Sequence, residues 1–271
     1  MNIYHVLFYG IIQGVAEFLP ISSSAHLALL PQFLKIEDPG VTFDLMMHIG
    51  TAFAVIIYFR KDLLKYLGCY KSFFKFKEPC SQETFFLRHI ALATIMTFIL
   101  VLPLKNIAET TGRNPLFISF NLMIFGLFMW IADRKVDASE KVFESKHHFL
   151  KALLIGLSQG IAVFPGVSRS GATMGTARFL GLGREEASRF SFLLSLPIII
   201  AGAVVKIPSI LNGTVQFQIT DCLLGIGFSF VFGFLTIFAF MKLIKKIGLG
   251  YFTLYRFVLS LFLIYFFYFN H

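Results

Sequence analysis

Six stretches of this chain, roughly residues 41–59, 85–104, 115–132, 188–207, 219–241 and 250–269, each supply the ~20 mostly apolar residues that a helix needs to cross a bilayer. Helices that are apolar all round cannot be kept in water by a polar face. Composition agrees: 56% of the 271 residues are hydrophobic and 14% are charged, against about 25% charged in soluble domains. A soluble globular enzyme, a disordered chain and a secreted disulfide scaffold are therefore excluded. Cys69, Cys80 and Cys222 form neither a disulfide framework nor a CxxC knuckle. The net charge of +9 is spread through the gaps between apolar runs, as membrane topology requires, so no nucleic-acid partner is expected. The chain reads as an all-α polytopic membrane protein forming a single integral membrane domain over residues 1–271.

Two further apolar stretches, 3–34 and 150–182, are broken at their centres by the polar runs Phe18-Leu-Pro-Ile-Ser-Ser-Ser-Ala-His26 and Phe164-Pro-Gly-Val-Ser-Arg-Ser-Gly171. Non-helical backbone at membrane depth survives only where it is buried in protein or lines a wet cavity. Both stretches are thus expected to be re-entrant helix–loop–helix hairpins whose tips meet inside the protein. They also resemble each other. Gln13-Gly-Val-Ala-Glu-Phe-Leu-Pro-Ile-Ser-Ser-Ser24 aligns without gaps on Gln159-Gly-Ile-Ala-Val-Phe-Pro-Gly-Val-Ser-Arg-Ser170, with six identities in twelve positions at an offset of 146. Phe43-Asp-Leu-Met-Met47 parallels Phe190-Ser-Phe-Leu-Leu194 at an offset of 147. The chain reads as a duplication, with repeats over approximately 1–133 and 147–271. Three spans separate the hairpins, so the second repeat is inverted, an architecture that places a polar site near the midplane.

Fifteen Lys and Arg fall on one side of this topology, with Arg184 and Arg189 added to them; only Lys35, Lys105, Arg113 and Lys206 fall on the other. The positive-inside rule makes the first side cytoplasmic. Both termini and the mouth of the first hairpin are then expected on the outer, periplasmic side of a plasma membrane.

The tips carry the chemistry. Gln13 and Glu17 share one helix face. Glu17 at membrane depth is either local hydrogen-bonded glue between helices or functional, and intramembrane carboxylates are functional by default. Ser22, Ser23 and Ser24 open a half-helix whose free N–H groups attract an anion, although capping alone explains most serines in such a place. His26 is a buried imidazole or, so close to the serines, a base or nucleophile. Ser168, Arg169, Ser170 and Gly171 open the second half-helix, and the guanidinium of Arg169 offers a fork matched to phosphate. Two helix N-termini, an arginine, hydroxyls and one carboxylate describe a site for a diphosphate. Glu17 would repel that anion unless it is protonated or bound to a divalent cation. Asp44 and His48 share a face of the first full span and either support the site or form a structural pair. Arg178 lines the cavity or snorkels, and Arg184-Glu185-Glu186 with Arg189 reads as a solvated helix start.

At these residues the sequence resembles the undecaprenyl-diphosphate phosphatase family of bacterial inner membranes, the bacitracin-resistance type. The resemblance rests on Gln13-Gly-Val-Ala-Glu-Phe-Leu-Pro-Ile-Ser-Ser-Ser-Ala-His26 and Pro165-Gly-Val-Ser-Arg-Ser-Gly171, and continues through Phe43-Asp…His-Ile-Gly50 and Gly183-Arg-Glu-Glu-Ala-Ser-Arg-Phe-Ser-Phe192. It implies hydrolysis of undecaprenyl diphosphate to the monophosphate carrier lipid and inorganic phosphate, which recycles the carrier for peptidoglycan synthesis and confers bacitracin resistance. It further implies a divalent cation, Mg2+ or Ca2+, with Glu17 as a ligand, and homodimers in some members. By position, Glu17 is the essential acid, Ser23 the favoured nucleophile, His26 a base or competing nucleophile and Arg169 the diphosphate clamp, with Ser22, Ser24, Ser168, Ser170 and Gly171 holding phosphate. Two departures are visible: Gln13 stands where many relatives have Glu, and Ala25 where Gly is commoner. The rival reading is a lipid-carrier flippase or anion transporter that uses the same inverted-repeat pocket without hydrolysis.

Overall fold

Apolar length and small-residue spacing set the elements. A computed structural model describes residues 2–75, 81–134, 149–211 and 219–269, and every regular element among them is helical. The first hairpin is α1 (Ile3–Ala16) and α2 (Ser23–Leu34). The first span, α3 (Gly40–Tyr58), turns through 76° at Phe59 into α4 (Arg60–Gly68), followed by the short α5 (Tyr70–Phe73). Then come α6 (Gln82–Thr110), α7 (Pro115–Asp133), the second hairpin α8 (Phe149–Ile161) and α9 (Arg169–Phe179), and the spans α10 (Arg184–Leu211), α11 (Ile219–Ile247) and α12 (Gly250–Phe269).

α6, α7, α10, α11 and α12 are each long and apolar enough to cross a membrane, and the bent α3–α4 pair makes a sixth. These are the six expected spans, alongside the two expected hairpins. Ile95 and Ile99 on α6, Leu223 on α11 and Leu254 and Leu261 on α12 are all more than half exposed, a belt that only hydrocarbon solvates without penalty. The stretch after residue 59, a basic gap between two apolar runs, is helical through α4 and α5. α4 carries Arg60, Lys61 and Lys65 beside Leu64 and Leu67, the pattern of a helix lying along an interface. The loop cations Lys77, Lys135, Lys141 and Lys146, with Cys80 and the pair His147–His148, lie outside the described residues.

The two hairpins pack in a similar way. α1 lies on α11 and α8 lies on α6, in each case through two glycines at equivalent positions. A Cβ at Gly10 would fall 2.4 Å from Phe228 Cβ, and one at Gly14 2.7 Å from the Gly233 nitrogen. One at Gly156 would fall 2.3 Å from the Ala93 oxygen, and one at Gly160 2.6 Å from Leu100 Cβ. Lipid tails are as apolar as leucine, so helices in a membrane associate by such close backbone contact. The aligned Phe43 and Phe190 are both fully buried.

Polar residues at the ends of the helices are cross-links. Arg178 is buried on Asp133 (2.9 Å) and the Leu182 carbonyl (2.6 Å), neither lining the cavity nor snorkelling. Arg184 also donates to Asp133, and Arg189 pairs with Asp62 at 3.0 Å and the Tyr66 hydroxyl at 2.9 Å. The expected solvated helix start is thus a set of ties. The sequence shows a helix start and its charges, but not the acids that other elements bring to it.

Candidate active site

The two hairpin tips meet. Each half-helix begins after a serine in the left-handed backbone region, Ser22 at φ 75° before α2 and Ser168 at φ 69° before α9. These positions are equivalent in the repeat. Non-glycine residues persist there only where the surroundings hold them, and here each tip holds the other. The Gly166 N–H donates to Ser22 Oγ at 3.1 Å, and Ser170 Oγ donates to the Leu19 carbonyl at 3.2 Å.

The two caps differ. Ser168 Oγ accepts from the Gly171 N–H at 3.1 Å, a side-chain cap on α9. Ser22 is committed to Gly166 and makes no such bond to α2. The first turn of α2, which begins at Ser23, therefore keeps N–H groups without a side-chain acceptor, the arrangement that binds anions.

Glu17, the C-cap of α1, is the hub of the site and is buried. Its Oε1 pairs with Arg169 Nη2 across the two repeats. Its Oε2 accepts from Ser23 Oγ at 2.6 Å and Gln13 Nε2 at 2.9 Å, and lies 3.4 Å from His48 Nε2. His48 Nδ1 faces the Asp44 carbonyl at 2.7 Å and so carries a hydrogen that it donates there. Arg169 Nη1 is buried without a hydrogen-bond partner among the described residues. An orphaned donor of this kind is a place for a ligand oxygen.

A cavity of about 250 Å³ opens on these groups, lined by Glu17, Ser23, Ser24, His48, Ser168, Arg169 and Ser170, with an apolar wall that includes Leu45, Val163, Ile198 and Ile199. An adjoining cavity of about 220 Å³ shares Ser24, Leu45, His48 and Val163 with it and continues past Asp44, Lys105 and Arg113. Gln13, Ser22, His26 and Gly171 do not line the first cavity. Gln13 braces Glu17 from behind. At Gly171 a Cβ would lie 2.7 Å from Met129 Sδ, so its small size serves packing against α7. His26 is spent on both ring nitrogens: Nδ1 on the Ser22 carbonyl at 2.7 Å and Nε2 on the Tyr255 hydroxyl at 2.7 Å.

The sequence pattern of the bacitracin resistance protein BacA family matches residues 6–262. This chain belongs to that family. It is also 40% identical to undecaprenyl-diphosphatase 2 of Halalkalibacterium halodurans, over 100% of this chain and 98% of that relative.

A divalent cation in a BacA-family site needs oxygen donors. Among the described residues no group of three His, Cys, Asp or Glu could hold a metal ion. Glu17 itself already meets Arg169, Ser23 and Gln13, so these residues form no protein cage. Sequence reasoning also missed Arg256 and Tyr255 of α12. A signal for Arg256 was available: with Arg169 and Arg178 it is one of three cations left over once the loop charges are assigned to sides.

Proposed function

We infer that this protein is an undecaprenyl-diphosphate phosphatase, releasing inorganic phosphate and returning the monophosphate carrier lipid. One observation carries the reading: a carboxylate bonded to a serine hydroxyl and an arginine with an open buried donor converge on one cavity. A transport site has no need of an activated hydroxyl. The apolar wall of the cavity suits the first isoprene units beside the headgroup.

In the proposed reaction the α2 N-terminus and Arg169 hold the terminal phosphoryl group. Ser23 Oγ attacks its phosphorus as the Ser23 proton passes to Glu17. The new Oγ–P bond forms as the bridging P–O bond breaks, and undecaprenyl monophosphate leaves with the electron pair. Water then attacks the phosphoserine, releasing inorganic phosphate, and Glu17 returns the proton to Ser23. Ser24 and Ser168 offer hydroxyls to the phosphate oxygens, Ser170 ties the second tip to the Leu19 carbonyl of the first, and Gln13, Asp44 and His48 hold Glu17 in place. We propose that Mg2+ or Ca2+ arrives on the diphosphate oxygens, because Glu17 has little free acceptor capacity. Dimerisation is proposed from the resemblance alone, with light scattering in detergent as its test. We further propose a bacterial plasma membrane with the cavity mouth and both termini on the periplasmic side, supported by the distribution of Lys and Arg.

The test is phosphate release by purified protein in detergent, with and without chelator, followed by acid quench of label transferred from the terminal phosphate. Hydrolysis that Glu17→Ala abolishes, with acid-stable label on serine, is the expected result. Binding without any phosphate release would favour the flippase or transporter. Acid-labile label would move the nucleophile from Ser23 to a histidine.

A further inference from the structure

Arg256 is fully buried in α12, and among the described residues no carboxylate lies within ion-pair distance of it. Its guanidinium donates to five backbone carbonyls instead. Nε reaches Leu122 at 3.0 Å, Nη1 reaches Pro20 at 3.3 Å, and Nη2 reaches Gly166 at 2.8 Å, Val167 at 3.2 Å and Asn121 at 3.3 Å. Pro20 belongs to the first tip, Gly166 and Val167 to the second, and Leu122 and Asn121 to α7. An uncompensated cation at membrane depth costs several kcal/mol, which apolar packing would not, so stability alone is a poor reason for it.

The preceding residue reaches the same place. Tyr255 stacks on His26 with ring centroids 5.8 Å apart and planes at 11°, and its hydroxyl lies 2.7 Å from His26 Nε2. His26 Nδ1 donates to the Ser22 carbonyl at 2.7 Å, because a carbonyl can only accept. Nε2 of the neutral ring therefore accepts from Tyr255. Two adjacent residues of one helix thus hold the first tip on both sides of its turn, at Pro20 and at Ser22. The same arginine holds the second tip at the peptides immediately before Ser168. Ser23 and Arg169 each follow one of these restrained serines.

We propose that Tyr255 and Arg256 are positioning residues for the phosphoryl-transfer step: they fix the two tips on α12 and so set the placement of Ser23 relative to Arg169. His26 belongs to this device as the link between Tyr255 and the first tip. A misplacement of about 1 Å between reacting groups costs on the order of 100-fold in rate, so the tips need a common mount. Lysine cannot replace the arginine, since one compact ammonium with three donors cannot span carbonyls on three elements.

The proposal rests on the phosphatase reading, and the experiment separates the two. Single-turnover hydrolysis with enzyme in excess is measured in detergent for the wild type, Arg256→Lys and Tyr255→Phe. A variant that merely folds poorly loses amplitude, whereas a misaligned site loses rate constant. Arg256→Lys is expected to lower the first-order rate constant at least tenfold at full amplitude, and Tyr255→Phe at least threefold. Smaller changes in the rate constants, or losses confined to amplitude, overturn the proposal. If Arg256→Lys yields no folded protein, Tyr255→Phe decides by the same criterion. Absence of hydrolysis by the wild type would instead defeat the phosphatase reading itself.

Discussion

Arg169 lines the cavity and carries two donors on one planar group: Nη2 engages Glu17, and Nη1 is buried with no hydrogen-bond partner among the described residues. A lysine can satisfy either demand but not both, because its ammonium is a single point charge. Arg169→Lys is therefore expected to lower kcat by roughly 100-fold or more, the loss that follows removal of one preorganised donor to a developing charge. KM should change far less, since the α2 N-terminus and the apolar wall still bind substrate. Steady-state kinetics on purified variant and wild type check this, and a near-normal kcat would remove Arg169 from the transition state. The residues of this contact were legible because intramembrane charge is costly and therefore rare, so Glu17 and Arg169 stand out in an apolar sequence. The assignment of donors was not legible. Ser22 reads as the N-cap of α2, yet its hydroxyl accepts from Gly166 on the other hairpin. His26 reads as a base beside the serines, yet both of its nitrogens are engaged, one of them by a residue 229 positions away.

At the scale of elements, the tip of the second hairpin depends on Gly166. Its φ is +93°, and a Cβ there would fall 2.5 Å from the Ile118 oxygen and 2.8 Å from Asn121 Cβ on α7. Its N–H and its carbonyl are the atoms that join Ser22 and Arg256. A Gly166→Ala variant meets the left-handed penalty of about 1–3 kcal/mol and a backbone overlap besides. Its thermal midpoint in detergent should drop clearly. Gly227→Ala serves as the contrast, since nothing lies within 4 Å of a Cβ there; its midpoint should stay at the wild-type value or rise slightly through better helix propensity. Equal effects of the two substitutions would contradict the tip packing. The six spans could be read from sequence because each leaves a long apolar signal. The bend at Phe59 and the acids that tie down Arg184 and Arg189 could not, since each is decided by a partner element rather than by local pattern.

At the scale of the whole molecule, the proposed orientation rests on charge. The two hairpins pack on α11 and α6 through glycines at matching positions of the sequence alignment, a feature that by itself carries no orientation. The excess of Lys and Arg on the end bearing α4, α5 and the α11–α12 junction favours keeping that end in the cytoplasm, because translocating so many cations is opposed at every short loop. Cys69, the C-cap of α4 and a half-buried thiol, lies on that end, while Cys222 is buried near the opposite end of α11. A Cys80→Ser, Cys222→Ser variant leaves Cys69 as the sole thiol. A membrane-impermeant maleimide should then fail to label intact spheroplasts and should label them after permeabilisation. Labelling of intact spheroplasts would reverse the orientation and would turn the cavity mouth with Lys105 and Arg113 to the cytoplasm. It would leave the meeting of Glu17, Ser23 and Arg169 untouched, because that contact is internal to the fold. The same outcome would require the carrier lipid to present its diphosphate from the inner leaflet, so orientation and substrate supply are tested by one measurement.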